Sequence, residues 1–229
     1  MKPVVGVFAH PDDEVFVGPG GTLAQFAREG RDTYIIVATD GEAGQNSTDD
    51  TRDLGDIRRE ELQKSAKLLG IKEVFFLDFK DGTLSNNVYH AIADKVQELL
   101  ERLDPEIVIT MENRGISGHI DHVAVSFITT FVFNKMPSIK ELWYFCLTEE
   151  VQKIIIKYLG GYFIYFPPGY KKDEISKIND ISSVWEQKVE AIKQHESQKA
   201  DVEAILKAFG ELPKKEYFII IKQPTKDTE

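Results

Sequence analysis

Cysteine is nearly absent: Cys146 is the single one in 229 residues, inside the apolar run Leu142-Trp143-Tyr144-Phe145-Cys146-Leu147. One thiol makes no intrachain disulfide and no thiolate metal site. Any metal must therefore be held by His and carboxylate ligands. Positive charge is also scarce, with 28 Lys and Arg against 38 Asp and Glu and a formal net charge of -10. A nucleic-acid binder needs a basic face, so nucleic acid is not an expected partner. No apolar window reaches the length of a membrane helix. The stretch Met1 to Phe8 is too short for a signal peptide, and acidic residues follow it closely. No membrane partner is expected, and the expected location is cytoplasmic. Repeats, low-complexity segments and Gly/Ser linkers are missing too, which leaves one domain over residues 1–229.

Hydrophobic residues make up 42% of the chain, enough for a sizeable core. Short apolar runs alternate with longer amphipathic ones. Strands are expected at Pro3–Phe8, Thr33–Ala38, Glu73–Leu77 and Glu106–Thr110. Further strands are expected at Glu141–Leu147, near Tyr162–Tyr165 and at Tyr217–Lys222. Helical spacing marks Gly18–Glu29, Arg58–Leu69 with Gly70 as its C-cap, Val88–Leu103 before Asp104-Pro105, and His122–Phe133. Such alternation implies an α/β fold, a parallel sheet with helices on both faces. In that architecture ligands bind beyond the carboxyl ends of the strands, where the strand order reverses.

Two loops at that edge carry chemistry. The first strand runs directly into His10-Pro11-Asp12-Asp13-Glu14. Ionisable groups packed against a buried strand end are costly unless a cation or hydrogen bonds organise them. Carboxylates also favour helix N-termini, so this segment alone does not separate a metal site from a capped turn. Gly18-Pro19-Gly20-Gly21 lacks the spacing of a dinucleotide fingerprint. The second loop, Gly118-His119-Ile120-Asp121-His122, follows the fourth strand. Three of the five histidines thus fall in two loops on one edge. His10, Asp13 and one of His119 or His122 make the His/His/carboxylate set of a catalytic zinc site, with a position left for water.

In order along the chain stand Ala9-His10-Pro11-Asp12-Asp13-Glu14, Thr39-Asp40-Gly41-Glu42-Ala43-Gly44, Arg58-Arg59-Glu60-Glu61, Gly118-His119-Ile120-Asp121-His122 and Lys193-Gln194-His195-Glu196-Ser197-Gln198. Together they resemble the LmbE-like, or PIG-L, deacetylase family. The resemblance implies a Rossmann-like three-layer sandwich with a mostly parallel sheet. It also implies zinc-dependent removal of the N-acetyl group from an N-acetylglucosamine-type small molecule, such as GlcNAc-inositol, GlcNAc-malate or chitobiose-type substrates. By the same resemblance His10, Asp13 and His122 hold one divalent ion, zinc or a substitute. Asp12 is the general base, His119 stabilises the oxyanion or acts as acid, and Asp121 orients His119. Arg58 resembles the family's substrate-binding arginine, and Asp81 is similarly placed for a sugar hydroxyl. Ile120 departs from the family's proline beside His119. Relatives that hydrolyse other amides make a non-sugar amide or thiol conjugate the alternative substrate, and a sugar binder without turnover would have no need of Asp12 and His119. The stretch from about Phe133 to Pro168 carries none of these signatures and is expected to build the substrate pocket or a homo-oligomer contact. His195 reads as a satisfied structural histidine on a helical stretch, and His90 as a plain helix residue.

Overall fold

The structure, a computed structural model, describes residues 1–161 and 165–224. Seven strands form one sheet in the order β3-β2-β1-β4-β5-β7-β6. They are β1 (Val4–Phe8), β2 (Thr33–Thr39), β3 (Glu73–Phe79), β4 (Ile107–Met111), β5 (Glu141–Cys146), β6 (Lys177–Asp180) and β7 (Lys215–Lys222). β1 to β5 run parallel. β7 lies antiparallel between β5 and β6, so the expected mostly parallel sheet ends in an antiparallel edge.

Strand alternation divides the core between the two faces. Val4 and Phe8 of β1 point to one side with Leu23, Leu69 and Ile155. Val5 and Val7 point to the other with Ile92, Val96 and Ile128. The first face is covered by α1 (Gly20–Arg28), α2 (Leu54–Leu69), α6 (Glu149–Leu159), α7 (Trp185–Ile192) and α8 (Lys199–Phe209). The second is covered by α3 (Tyr89–Leu103) and α5 (Ile120–Lys135), and the short α4 (Gly115–Gly118) precedes α5. This is a three-layer sandwich whose inner strands β1, β2 and β4 are buried on both sides, hence their unbroken apolar runs. No helix among the described residues is long and apolar enough to cross a membrane.

Helix ends follow side-chain caps more than apolar periodicity. α2 begins at Leu54, four residues before the expected start, because Asp53 accepts from the N–H groups of Gly55 and Asp56. It ends as expected at Gly70, whose φ of 78° suits glycine. α5 begins two residues before His122, capped by the His119 ring. The strand expected near Tyr162 to Tyr165 falls on residues 162–164, outside the described residues, and Tyr165 itself has no regular structure.

The N-terminus of α1 is tied to the far end of the chain. The N–H groups of Gly21 and Thr22 donate to the two oxygens of Glu216, at 2.9 and 2.7 Å. Lys188 donates to Glu216 Oε1 at 2.8 Å and to the Gly18 carbonyl at 2.7 Å. Glu216 and Lys188 are both buried.

Candidate active site

β1 and β4 are neighbours, with β2 and β3 on one side and β5 on the other. Strand order reverses between them, and a crevice opens there at their carboxyl ends. Both His-bearing loops emerge at this crevice. The structure brings His10, Asp12, Asp13, Arg58, Asp81, His119 and His122 onto one cavity. Asp121 lies buried behind His10.

Asp13 Oδ2 accepts from the N–H groups of Ala9 and His10 at 3.0 and 2.9 Å. That leaves Oδ1, which faces His122 Nε2 at 3.0 Å. His122 Nδ1 lies 3.0 Å from the Gly115 carbonyl. A carbonyl only accepts, so Nδ1 carries a proton, and Nε2 is a lone pair in the neutral ring or a second N–H in the imidazolium. His10 Nδ1 lies 3.1 Å from the same Nε2. Asp13 Oδ1 and His122 Nε2 therefore need either a proton or a metal ion between them. The separations are close to the ~3.3 Å edge of a tetrahedron with ~2.0–2.1 Å metal–ligand bonds.

The electrostatics agree. Burial alone would depress the basicity of His10, yet Asp121, Asp13 and Asp81 together hold it well above the usual histidine range. Burial would likewise raise Asp13, but His122 and His10 hold it well below the usual carboxylate range. A buried place that retains a proton this firmly suits a divalent cation too.

Two triplets of candidate ligand atoms lie within 4.8 Å: His10, His119 and His122, and His10, Asp81 and Asp121. Hydrogen bonding separates their members. His119 Nδ1 accepts from the Asp121 N–H at 3.2 Å, so its proton sits on Nε2. Burial and the neighbouring His122 and His10 push its pKa down, which keeps the ring neutral and a donor through Nε2. Asp121 spends both oxygens on the N–H groups of Gly82 and Leu84, at 2.8 and 3.1 Å. Asp81 Oδ2 accepts from Ala43 N–H at 3.2 Å, and Oδ1 stands 2.9 Å from His10 Nε2. His10 Nε2 has no well-aligned hydrogen bond; it lies between Asp81 and Asp121, which fix the ring from behind, as carboxylates commonly do for a metal-binding histidine.

Two roles implied by the resemblance thereby change form. Asp121 orients His119 through its main-chain N–H, because its carboxylate already holds the Gly82–Leu84 turn. Asp81 reaches the cavity wall, but its carboxylate is turned to His10. Burial opposes ionisation there, yet His10 holds the group down to about 2.

Asp12 sits at φ 114°, a conformation uncommon outside glycine. Its Oδ2 accepts from Arg58 Nη2 at 2.7 Å, and its N–H donates to Glu14 Oε2 at 3.0 Å. Burial pushes the Asp12 carboxyl up to about 6 against the pull of Arg58. Arg58 is no solvated helix residue. It is buried, and it also donates to the Gly41 and Pro11 carbonyls at 2.8 and 2.6 Å. Gly41, at φ 68°, leaves room that a Cβ would take from the guanidinium. Ile120 is 70% exposed; the His119 cap therefore fixes the loop where the family has proline.

Sequence reasoning missed the support beneath Asp12. Glu14 Oε1 accepts from Ser65 Oγ at 2.6 Å and lies 3.2 Å from His195 Nε2. Glu61 accepts from the N–H and hydroxyl of Ser197 at 2.6 and 2.7 Å. His195 is fully buried, as a structural histidine should be, but it lies in the turn after α7 and not on a helix. The Arg58–Glu61 and Lys193–Gln198 motifs are thus one piece of structure, joined through Glu61.

The sequence profile of the family PIG-L: GlcNAc-PI de-N-acetylase matches residues 5–133. The chain is 29% identical over 224 residues to a 1D-myo-inositol 2-acetamido-2-deoxy-alpha-D-glucopyranoside deacetylase of Corynebacterium glutamicum, covering 85% of this chain and 74% of that one. The solved N,N'-diacetylchitobiose deacetylase of Pyrococcus horikoshii superposes with a TM-score of 0.68 at 24% identity, over 99% of this chain and 88% of the other. The 4-carboxy-2-hydroxymuconate hydratase GalB of Pseudomonas putida KT2440 superposes with a TM-score of 0.70 at 18% identity, over all of both chains. These two likenesses show the fold, and a hydratase among them means the reaction must be argued from the site.

Proposed function

This chain belongs to the PIG-L family of GlcNAc-PI de-N-acetylases, and from that premise we propose that it hydrolyses the N-acetyl amide of an N-acetylglucosamine-type substrate. One divalent cation, zinc, would be held by His10 Nδ1, Asp13 Oδ1 and His122 Nε2. The observation that carries the reading is the convergence of three ligand-type atoms, Asp13 Oδ1 at 3.0 Å and His10 Nδ1 at 3.1 Å from His122 Nε2. When bound there, the cation supplies Lewis acidity that polarises a carbonyl and acidifies water.

The chain's own residues do the rest. Arg58 holds one oxygen of Asp12, which leaves the other to accept a proton from the attacking water. The water oxygen bonds to the amide carbon as its proton passes to Asp12. A carboxyl near 6 suits this work, being largely ionised at neutral pH and still acidic enough to return the proton. The oxyanion of the tetrahedral intermediate accepts from His119 Nε2–H, a donor already oriented by the Asp121 N–H. The C–N bond then breaks, the amine nitrogen takes the proton from Asp12, and acetate and a free amino sugar leave.

The test pairs metal content with acetate release from methyl N-acetylglucosaminide and from a simple acetamide. The unmodified protein should hold one zinc and release acetate from the sugar. Asp12→Asn should keep the zinc and lose about 10²–10⁴-fold in kcat. Full activity in Asp12→Asn, or acetate from the acetamide alone, would overturn the assignment.

A further inference from the structure

The candidate catalytic atoms occupy one end of a cavity of about 350 Å³. Away from them the polar lining is sparse, chiefly Ser117, Gln198 and Asp201. Most of the remaining lining is apolar, with Phe16, Val17, Ile155, Leu159, Phe166 and Ile205 its main side chains. Phe16 and Val17 follow directly from the Asp12–Glu14 loop, Ile155 and Leu159 come from α6, and Ile205 comes from α8. Three of these positions, Ile155, Leu159 and Phe166, lie in the stretch from Phe133 to Pro168 that carried no readable signature.

Charge sharpens the picture. Arg58 is the one Lys or Arg among the described residues lining the cavity, and its terminal nitrogens are committed to Asp12, Pro11 and Gly41. Asp201, on the same wall, adds negative charge. A carboxylate or phosphate seated there would meet Asp201 and, among the described lining residues, no Lys or Arg besides the engaged Arg58, whereas sugar hydroxyls placed against six apolar side chains would lose hydrogen bonds to water without replacement. An alkyl or aryl group would meet neither penalty.

We propose that the substrate carries an uncharged apolar substituent, larger than acetyl, seated between Phe16–Val17, α6 and α8. It is carried either on the aglycone of the amino sugar or on the acyl side of the amide. This rests on the deacylase reading of the same cavity.

The full chain loaded with zinc is given four substrates: the methyl and octyl glycosides of N-acetylglucosamine, the methyl glycoside of N-octanoylglucosamine, and N-acetylglucosamine with a dicarboxylate aglycone. Each buried methylene is worth a factor of ~4 in affinity, part of which is lost to ordering the chain. The octyl glycoside or the N-octanoyl compound should exceed the methyl glycoside by about 100-fold in kcat/KM, mostly through KM. Which of the two wins identifies the side that carries the group. The dicarboxylate should be poorest. Val17→Ser and Leu159→Ser should each narrow the octyl-to-methyl ratio.

If the methyl or dicarboxylate compound equals or beats both octyl compounds, the apolar assignment fails while deacetylation stands. If no substrate is turned over, deacetylation itself fails. Calorimetric binding of the octyl against the methyl glycoside then decides the cavity alone, and equal affinities overturn the proposal.

Discussion

Two clusters of buried charge flank the loop that follows β1, and they are built on opposite principles. At the Glu216–Lys188 clamp every charged atom has a partner of the right kind. The two Glu216 oxygens take two N–H groups and an ammonium, and Lys188 also reaches a carbonyl. At the cavity, three ligand-type atoms crowd together, Asp12 holds an uncommon φ, and both His10 Nε2 and Arg58 Nε lack an aligned partner. Saturated hydrogen bonding marks charge that holds the fold together. Crowded ligand atoms and unpartnered polar atoms mark charge kept for something not in the chain.

Breaking the second cluster should have the largest effect on activity and a small one on folding. His122→Ala is expected to hold no zinc and to lose about 10³-fold or more in kcat/KM, with its melting temperature near that of the unmodified apoprotein. Metal analysis beside thermal unfolding of the apo forms reads this. A variant that kept both zinc and activity would erase the distinction between the clusters.

Breaking the first should do the reverse. Lys188→Ala leaves Glu216 buried without its counter-charge, which costs about 3–5 kcal/mol. Urea unfolding should show that loss, while kcat per folded molecule stays within about twofold. A fall in kcat with unchanged stability would mean that the clamp serves the chemistry after all.

Asp81→Asn lies between these extremes. It removes a carboxylate behind His10 without touching the atoms that face Asp13 and His122, so zinc affinity should fall by about 10–100-fold. Competition with a chelator measures it, and excess zinc should restore most of the rate.

The smallest effect concerns Cys146. Its sulfur lies against the Tyr217 carbonyl, beside Glu216, and burial pushes the thiol up to about 12. Alkylation at pH 8 should be negligible in the folded protein. It should become measurable in Lys188→Ala and stay negligible in Asp12→Asn, making the thiol a reporter on the clamp alone.

Those contrasts also explain what could be read from the sequence. β1, β2 and β4 were legible because strands buried on both faces are continuous apolar runs, the half-buried edge strand β3 because Val74, Phe75, Phe76 and Leu77 still form one, and the two His-bearing loops follow β1 and β4. β6 was not: its residues Lys177, Ile178, Asn179 and Asp180 are mostly exposed at the sheet edge and show no apolar pattern. α6 and α8 escaped because their apolar residues serve two surfaces, the sheet core and the cavity. In the site, the motifs pointed to the right residues but not to the bonds among them. Glu14 reads as one more helix-start acid, and only the fold shows it holding the Asp12 N–H with Ser65 and His195 behind it. Asp81 looked like a turn residue open to a sugar, and only the fold turns it to His10.

The contact between Gly21 and Glu216 spans 195 positions. On a ribosome making about 5–20 residues per second, the second partner emerges roughly 10–40 s after the first. Throughout that interval the start of α1 has exposed N–H groups and no carboxylate to receive them. The loop bearing His10, Asp12 and Asp13 leads directly into that helix start. The helix start behind the proposed cation site is therefore completed late in the life of the polypeptide, with the last described strand and not with the first motif.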